Sequence, residues 1–188
     1  MTEFYEFTAS DVPEFVECYE KYLNSGVHVS ENTAALFKEG KYFGMKAVCD
    51  GECAGFLTLM EGLLLTIPHP EVEKEILDLI GSRRFVTVDA FMTLPKFRGK
   101  GIGHALCEKV NAQLLSRGIE LFVVEIWVYP DGSSPALGIY EQMGQCLYKK
   151  EIPGFYSRSS KYGIVCPVCG TECRCSADME VIDVGSSG

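Results

Sequence analysis

Apolar positions follow two different periods along the chain, and the period changes several times. From Val12 to Leu23 they recur at three- and four-residue spacing, which predicts a helix with one buried face. Residues 42–60 contain two β-rich runs joined by Asp50-Gly51, a dipeptide typical of hairpin turns. A strand is also predicted at residues 3–8 and a second short helix at residues 30–40.

The second half of the chain continues this alternation of periods. It predicts helices that begin near Val72, Ile102 and Pro135, and strands at residues 84–94, 119–129, 145–151 and roughly 161–166. The run at 119–129 is apolar almost throughout, as a central strand covered on both faces should be. The complete order of elements predicts an α/β fold with a mixed central sheet flanked by helices.

A glycine-rich stretch, LPKFRGKGIGHALCEKV, occupies residues 94–110 between a predicted strand and a predicted helix. Glycine weakens helices, so three glycines at a helix start need a physical reason. The unpaired N–H groups at a helix start attract an anion, glycines let that backbone come close to it, and Arg98 and Lys100 add cationic donors. This pattern predicts a phosphate or pyrophosphate site. The alternative is a turn that only packs the helix against the strand.

Known phosphate motifs narrow the choice of ligand. A Walker loop requires Ser or Thr after Gly-Lys, and a dinucleotide fingerprint requires G-x-G-x-x-G; both fail here. Residues 98–103, RGKGIG, match R-x-x-G-x-G, and ALGIYEQMG follows at residues 136–144. With these two motifs, roughly residues 1–150 resemble the GNAT superfamily of acyl-CoA-dependent N-acyltransferases.

The resemblance implies that acetyl-CoA is the cosubstrate and that its pyrophosphate binds at the glycine turn, residues 98–103. It further implies a wedge between the strands at 84–94 and 119–129, where backbone groups near Met92 pair with the pantetheine arm. Ser133 stands where the family often has Asn, and Gln145 stands where it has an aromatic residue. The cofactor-binding residues implied in this way are Met92, Thr93, Leu94, Arg98, Gly99, Lys100, Gly101, Ile102, Gly103, His104 and Ser133.

The family's reaction is direct attack of an amine on the thioester, through a tetrahedral intermediate. By resemblance Tyr140 is the general acid that protonates the leaving thiolate, and its alternative role is that of a core tyrosine. The family often has glutamate where Thr87 stands, so the base must be another group. Asp89 and Glu125 are the candidates, although each is equally consistent with a structural carboxylate. Strand alternation predicts one common face for Thr87, Asp89, Phe91 and Thr93.

Composition limits the partners. The net charge of −9 argues against a broad nucleic-acid surface and suits a cationic amine, although acidity also simply favours solubility. No apolar run reaches membrane-spanning length, and the acidic amino terminus lacks the layout of a secretory signal, so we expect a cytoplasmic protein. The expected acceptor is a small-molecule or peptide amine, without a nucleic acid or membrane partner. A homodimer is left open.

Nine cysteines in such a chain predict reduced thiols rather than a disulfide framework. Four of them fall within VCPVCGTECRCS and are Cys166, Cys169, Cys173 and Cys175. Four thiolates can hold a structural zinc ion, and the alternative is a reduced, partly disordered tail. We therefore expect a GNAT-like domain at residues 1–165 and a short Cys-rich extension at 166–188, whose last residues fray.

Two functional hypotheses follow from these observations. The first is an N-acetyltransferase that moves an acetyl group from acetyl-CoA to a primary amine. The alternative is a regulatory module of the same fold that binds an acyl-CoA without catalysis. An intact glycine turn fits both hypotheses, whereas only the first requires Tyr140.

Overall fold

The structure is a computed structural model that describes residues 1–23, 35–64, 67, 69–136, 138–157 and 165–185. Its strands and α-helices are β1 (Thr2–Glu6), α1 (Val12–Tyr22), β2 (Tyr42–Cys49), β3 (Glu52–Glu61), α2 (Pro70–Ile80), β4 (Phe85–Thr93), α3 (Ile102–Arg117), β5 (Leu121–Val128), β6 (Gln145–Ile152) and β7 (Ser176–Asp183). Single 3-10 turns lie at Ala9–Asp11, Pro95–Phe97 and Ile139–Met143. The predicted second helix begins outside the described residues, and residues 35–38 of it are helical.

Seven strands form one mixed sheet in the order β1-β2-β3-β4-β5-β7-β6. The first four are antiparallel neighbours, β4 and β5 are parallel, and β7 is antiparallel to both β5 and β6. This confirms the predicted α/β fold with a mixed central sheet.

Helices cover both faces of the sheet. The predicted apolar face of α3 is buried against β1–β5, with Ile102, Leu106, Val110 and Leu114 at most 3% exposed. On the opposite face, α2 packs against β5 and β7, and α1 packs against β2, β3 and β4. β5 is therefore covered on both faces, which confirms the interpretation of its apolar sequence.

The hairpin between β2 and β3 also follows the sequence. Asp50 has φ of 52° and Gly51 has φ of 82°, so both central residues are left-handed. Two such residues form the turn whose twist matches that of the flanking strands.

The C-terminal segment differs from its prediction. The strand predicted at about 161–166 lies mostly outside the described residues. The last residues, 176–188, were expected to fray, but Ser176–Asp183 forms β7 between β5 and β6. The sequence concealed this strand because Asp178 and Glu180 interrupt its apolar positions. Lys149 of β6 compensates both carboxylates, at 3.4 Å from Asp178 Oδ2 and 2.7 Å from Glu180 Oε1. Residues 176–183 are therefore part of the sheet.

The helix predicted to begin at Pro135 is also wrong in type, because in the described residues 135–136 and 138–144 the helical element is the 3-10 turn Ile139–Met143. Gly138 precedes this turn with a left-handed φ of 75°, which a continuous α-helix does not allow. The Ser134 hydroxyl still accepts the Ala136 N–H at 3.2 Å. Among the helices of the described ranges, none is both long and apolar enough to span a bilayer.

Candidate active site

A cavity opens where two parallel strands separate. β4 and β5 pair only at Phe85–Leu121, Val86–Phe122 and Thr87–Val123. Both strands continue beyond this point, β4 to Thr93 and β5 to Val128, without further pairing to each other. The wedge implied by the family resemblance is thus present, and its cavity of about 250 Å³ is lined by both strands.

A β-bulge at Asp89 changes the direction of β4 beside this cavity. Thr58 of β3 pairs with Ala90 and Leu59 pairs with Val88, so Asp89 has no cross-strand partner. The inserted residue reverses the alternation of faces in the remainder of the strand. Asp89 bonds Tyr42 on the α1 side of the sheet.

Beyond the bulge, the side chains of Phe91 and Thr93 point to the opposite face. Phe91 Cζ would lie 3.1 Å, and Thr93 Oγ1 3.6 Å, from a Cβ added to Gly103 of α3. The prediction that Thr87, Asp89, Phe91 and Thr93 share one face is therefore wrong, because it assumed a regular strand.

The glycine turn leads from β4 into α3. Gly99 and Gly101 have φ of 72° and 75°, a left-handed conformation that side chains with a Cβ seldom adopt. α3 begins at Ile102 with no side-chain cap on its first turn. The first N–H groups of an uncapped helix have no intrahelical partner and carry partial positive charge. This helix start can accept an anionic group.

Gly103 has a different role from the other two glycines. A Cβ at this position would lie 2.8 Å from Ile139 Cδ1 and 3.1 Å from Phe91 Cζ. Gly103 therefore allows close packing of α3 against β4 and against the 3-10 turn that follows β5. The packing interpretation of the glycine pattern thus applies at Gly103, and the phosphate interpretation stays a prediction for Gly99 and Gly101.

The cations of the turn are exposed in a protein of net charge −9. Arg98 Nε donates to the Thr93 carbonyl at 3.0 Å, which holds its side chain against the end of β4. Lys100 Nζ lies 5.2 Å from the centre of the Phe97 ring. His104, in the first turn of α3, is exposed as well. Two left-handed glycines, an uncapped helix start and two cations fit a diphosphate.

Two further residues implied as cofactor ligands already have protein partners. The Leu94 N–H donates to the Ala54 carbonyl at 2.9 Å. The Ser133 hydroxyl and N–H both donate to Asp131 Oδ1, at 2.6 and 2.9 Å. Cofactor binding by Met92, Thr93, Leu94 and Ser133 stays a prediction.

Tyr140 lies at the inner wall of the cavity, in the 3-10 turn after β5. It is 3% exposed, and its ring packs against Phe91 at 5.6 Å and Phe122 at 5.5 Å between centroids. Desolvation by burial raises the pKa of its phenol well above the usual 10. The hydroxyl therefore keeps its proton at neutral pH and can donate it to a departing anion.

Glu125 lines the same cavity from β5. Burial raises the pKa of its carboxyl to about 7, and a hydrogen bond from the Tyr156 hydroxyl opposes part of that increase. A carboxyl with this pKa exchanges protons near neutral pH, as a general base must.

Asp89 faces Glu125 across the wedge. Both residues follow the last β4–β5 pair, Thr87–Val123, by two positions, and both line the cavity. The Tyr42 hydroxyl donates to Asp89 Oδ2 at 2.5 Å, and burial raises the pKa of the Asp89 carboxyl. We call Asp89, Glu125 and their tyrosine partners Tyr42 and Tyr156 the carboxylate wall.

The four C-terminal cysteines also come together, and we call them the cysteine cluster. All four Sγ atoms lie within 4.8 Å of one another, which is compact enough for one metal ion. Cys166 and Cys173 line the cavity. All nine cysteines of the chain are free thiols, consistent with the predicted reduced state.

Sequence analysis did not identify the tyrosine partners of the two carboxylates. Tyr156 lies 31 positions after Glu125, and Tyr42 lies 47 positions before Asp89. Tyr19 and Trp127, which also line the cavity, were likewise not predicted as site residues. No local pattern marks these residues; the only signal was the presence of lone acids in apolar strands.

An α/β sheet that opens between two parallel strands, beside a glycine-rich helix start, is the architecture of acyl-CoA-dependent N-acyltransferases. The model of the acetyltransferase (GNAT) family matches residues 4–145, most of the chain. The protein belongs to the GNAT acetyltransferase family. No curated protein sequence matches it.

Solved structures agree with this fold. Arabidopsis thaliana NAA60 in complex with a bisubstrate analogue is 20% identical, with a TM-score of 0.69 and 100% of both chains covered. The same protein in complex with acetyl-CoA is 18% identical, with a TM-score of 0.67 over 98% of this chain and 100% of that one. The ribosomal-protein-S18-alanine N-acetyltransferase from Escherichia coli is 17% identical, with a TM-score of 0.62 over 100% and 97%. At these identities the similarity establishes the fold.

Proposed function

We propose that this protein is an N-acetyltransferase that moves an acetyl group from acetyl-CoA to a primary amine. One observation carries the proposal. The opening between β4 and β5 brings a buried phenol and two half-buried carboxyls to one cavity, and Phe91 of that cavity packs against Gly103 of an uncapped, glycine-rich helix start. A module that only binds acyl-CoA needs the helix start but has no use for the acid and the bases.

The glycine turn supplies the anchor for the cosubstrate. Its helix start and the side chains of Arg98 and Lys100 neutralise the diphosphate of acetyl-CoA. Beyond Thr87, the edge of β4 that faces β5 has no strand partner there, so extended groups can lie along it. Acetyl-CoA, when bound, supplies an activated thioester carbonyl.

Glu125 serves as the general base. An amine enters as an ammonium ion at neutral pH, and it must lose a proton before its lone pair can form the new C–N bond. Glu125, with a pKa of about 7, accepts that proton within the cavity. Asp89, the other carboxyl of the wedge, attracts the incoming cation when it is ionised.

Tyr140 serves as the general acid. As the C–S bond breaks, the sulfur takes the proton of the Tyr140 hydroxyl and leaves as a thiol. The raised pKa of Tyr140 keeps that proton in place until the thiolate forms. Solvent then returns a proton to Tyr140, the amide nitrogen loses its surplus proton to solvent, and Glu125 releases to solvent the proton that it took from the amine.

The acceptor we propose is a cationic amine, either a small molecule or the amino terminus of a peptide. Two half-buried carboxyls beside aromatic side chains suit an ammonium group. The Escherichia coli neighbour, which by its name acetylates an alanine of a ribosomal protein, makes a peptide amino terminus worth testing.

Two measurements test this proposal. Thermal unfolding is compared with acetyl-CoA, a longer acyl-CoA, ATP and NAD; we expect stabilisation by the CoA species. Turnover is then measured by chromatography of CoA with a diamine, a peptide and the same peptide blocked at its amino terminus. CoA binding without turnover of any amine would support the regulatory alternative. Stabilisation by ATP or NAD, without stabilisation by any CoA species, would overturn the assignment of acetyl-CoA as the cosubstrate.

A further inference from the structure

The spacing of sulfur atoms in the cysteine cluster matches a tetrahedral metal site. Cys169 and Cys175 have their Sγ atoms 3.5 Å apart, and Cys166 and Cys175 have theirs 3.9 Å apart. A zinc ion with Zn–S bonds of about 2.3 Å requires sulfurs about 3.8 Å apart in a tetrahedron. A disulfide would need about 2.05 Å. The observed distances therefore correspond to four ligands around a shared centre.

The backbone around the first pair has the form of a metal-binding knuckle. Cys166 and Gly170 exchange both backbone hydrogen bonds, at 2.8 and 3.1 Å, and Gly170 has a left-handed φ of 74°. Within this turn the Cys169 N–H donates to Cys166 Sγ at 3.4 Å. An N–H directed at sulfur favours the thiolate that a metal requires.

The second pair is brought back to the knuckle by the sheet. Cys175 immediately precedes β7, whose first residue, Ser176, pairs with Val128 at the end of β5. Register in the sheet thus fixes Cys175, and Cys173 lies two residues before it. Cys173 and Cys175 are separated by only one residue, which is unusual for a pair of metal ligands. This short spacing is accommodated because β7 holds Cys175 in position.

The cluster is buried beneath aromatic side chains. Cys166, Cys173 and Cys175 are at most 8% exposed. Trp127, Tyr129 and Tyr156 pack against them. A closed site of four sulfurs leaves no coordination position for a substrate, so a metal here is structural.

The same aromatic residues join the cluster to the cavity. Tyr156 packs on the cluster and donates its hydroxyl to Glu125. Cys166, Pro167 and Cys173 themselves line the cavity. The Tyr156 side chain therefore connects the cluster directly to the Glu125 carboxylate.

We propose that Cys166, Cys169, Cys173 and Cys175 bind one Zn²⁺ ion as thiolates, and that this ion holds Tyr156 and the adjoining cavity wall in position. The part that concerns catalysis rests on the proposed function. Binding exchanges the four thiol protons for the metal and involves no oxidation.

Metal analysis of the full-length protein, purified in the presence of a thiol reductant, tests the site directly. We expect one zinc ion per chain by elemental analysis. Replacement by Co²⁺ should give the charge-transfer and visible absorption of a tetrahedral cobalt–thiolate centre. Both measurements use the wild-type chain, so they do not depend on whether a variant folds. A chain without zinc that also fails to take up Co²⁺ would overturn the proposal.

Variants define the ligands. Cys169→Ser and Cys173→Ser should each lose most of the bound zinc and lower the unfolding temperature, whereas Cys146→Ser, at an exposed cysteine of β6, should keep both. Equal zinc content in all three would contradict the assignment. So would wild-type protein that lacks metal and gains reactive thiols only after reduction, because that result identifies disulfides.

The outcomes separate this inference from the proposed function. Full zinc content without turnover of any amine would refute the enzymatic proposal and leave the metal site standing. Full turnover after zinc has been removed would leave the enzymatic proposal standing and would refute the role of the metal in positioning Tyr156. Where both hold, removal of zinc should lower kcat while leaving stabilisation by acetyl-CoA nearly unchanged, since the glycine turn, at the start of α3, belongs to a different element from the cysteine cluster.

Discussion

The chain builds the glycine turn and the carboxylate wall in opposite ways. The glycine turn is six consecutive residues, 98–103, which lead into α3 and form its first two positions. The carboxylate wall takes Tyr42 from β2, Asp89 from β4, Glu125 from β5 and Tyr156 from beyond β6. The proposed anchor for the cosubstrate is thus encoded locally, whereas the proposed chemistry depends on the whole fold. If the two are separable, substitutions in one should leave the other's measurements unchanged.

The largest effect is expected from Tyr140→Phe. Loss of the only hydroxyl proposed to protonate sulfur should lower kcat by about 10²- to 10³-fold, with little change in stabilisation by acetyl-CoA. The matched control is Tyr148→Phe, which removes a hydroxyl bonded to Glu75 on the surface. Unchanged turnover in the Tyr140 variant would show that Tyr140 is not the general acid.

Glu125→Gln should lower kcat/KM by about 10²-fold and change its pH dependence. In the wild type a base with a pKa of about 7 must be deprotonated, so kcat/KM should rise with pH through about 7 and then level off. The Gln variant should lose this rise. Asp89→Asn is the comparison: it should raise KM for a cationic amine and retain the pH dependence. The opposite result would make Asp89 the base.

Arg98→Ala tests the other side of the comparison. Removal of one charged phosphate donor should raise KM for acetyl-CoA by about ten- to thirtyfold and leave kcat nearly unchanged. The difference should shrink at high salt, because Arg98 is exposed. Lys96→Ala is the control, since Lys96 Nζ pairs with Glu52 Oε2 at 2.6 Å. A large drop in kcat for the Arg98 variant would show that the two regions are not separable.

The smallest effect, and the most specific, is expected from Tyr156→Phe. Its hydroxyl favours the ionised form of Glu125, so its loss should raise the pKa of Glu125 and move the pH midpoint upward. We expect kcat to fall by about three- to tenfold. Tyr129→Phe, which packs against the same cysteine cluster, should leave the midpoint in place. A midpoint that stays constant in both variants would exclude the positioning role of Tyr156.

The sequence patterns predicted the features that depend on residues close together in the chain. These features are the apolar face of α3, the Asp50-Gly51 turn and the glycine-rich helix start. Each depends on residues that are near one another in sequence. β7 was not predicted, because Asp178 and Glu180 are compensated by Lys149, a residue of another strand. The bulge at Asp89 was not predicted either, since register depends on the pairing with β3. Asp89 and Glu125 were found as candidates, but their partners required the fold.

The position of β7 has a consequence for how the chain is made. During translation β1 to β4 can pair in the order in which they leave the ribosome, since each joins its predecessor. β6 has no neighbour in the described sheet except β7, which is synthesised after it. In the nascent chain, the edges of β5 and β6 that will pair with β7 therefore stay unpaired until residues 176–183 emerge. Of the whole sheet, this half is the one most in need of protection by chaperones during synthesis.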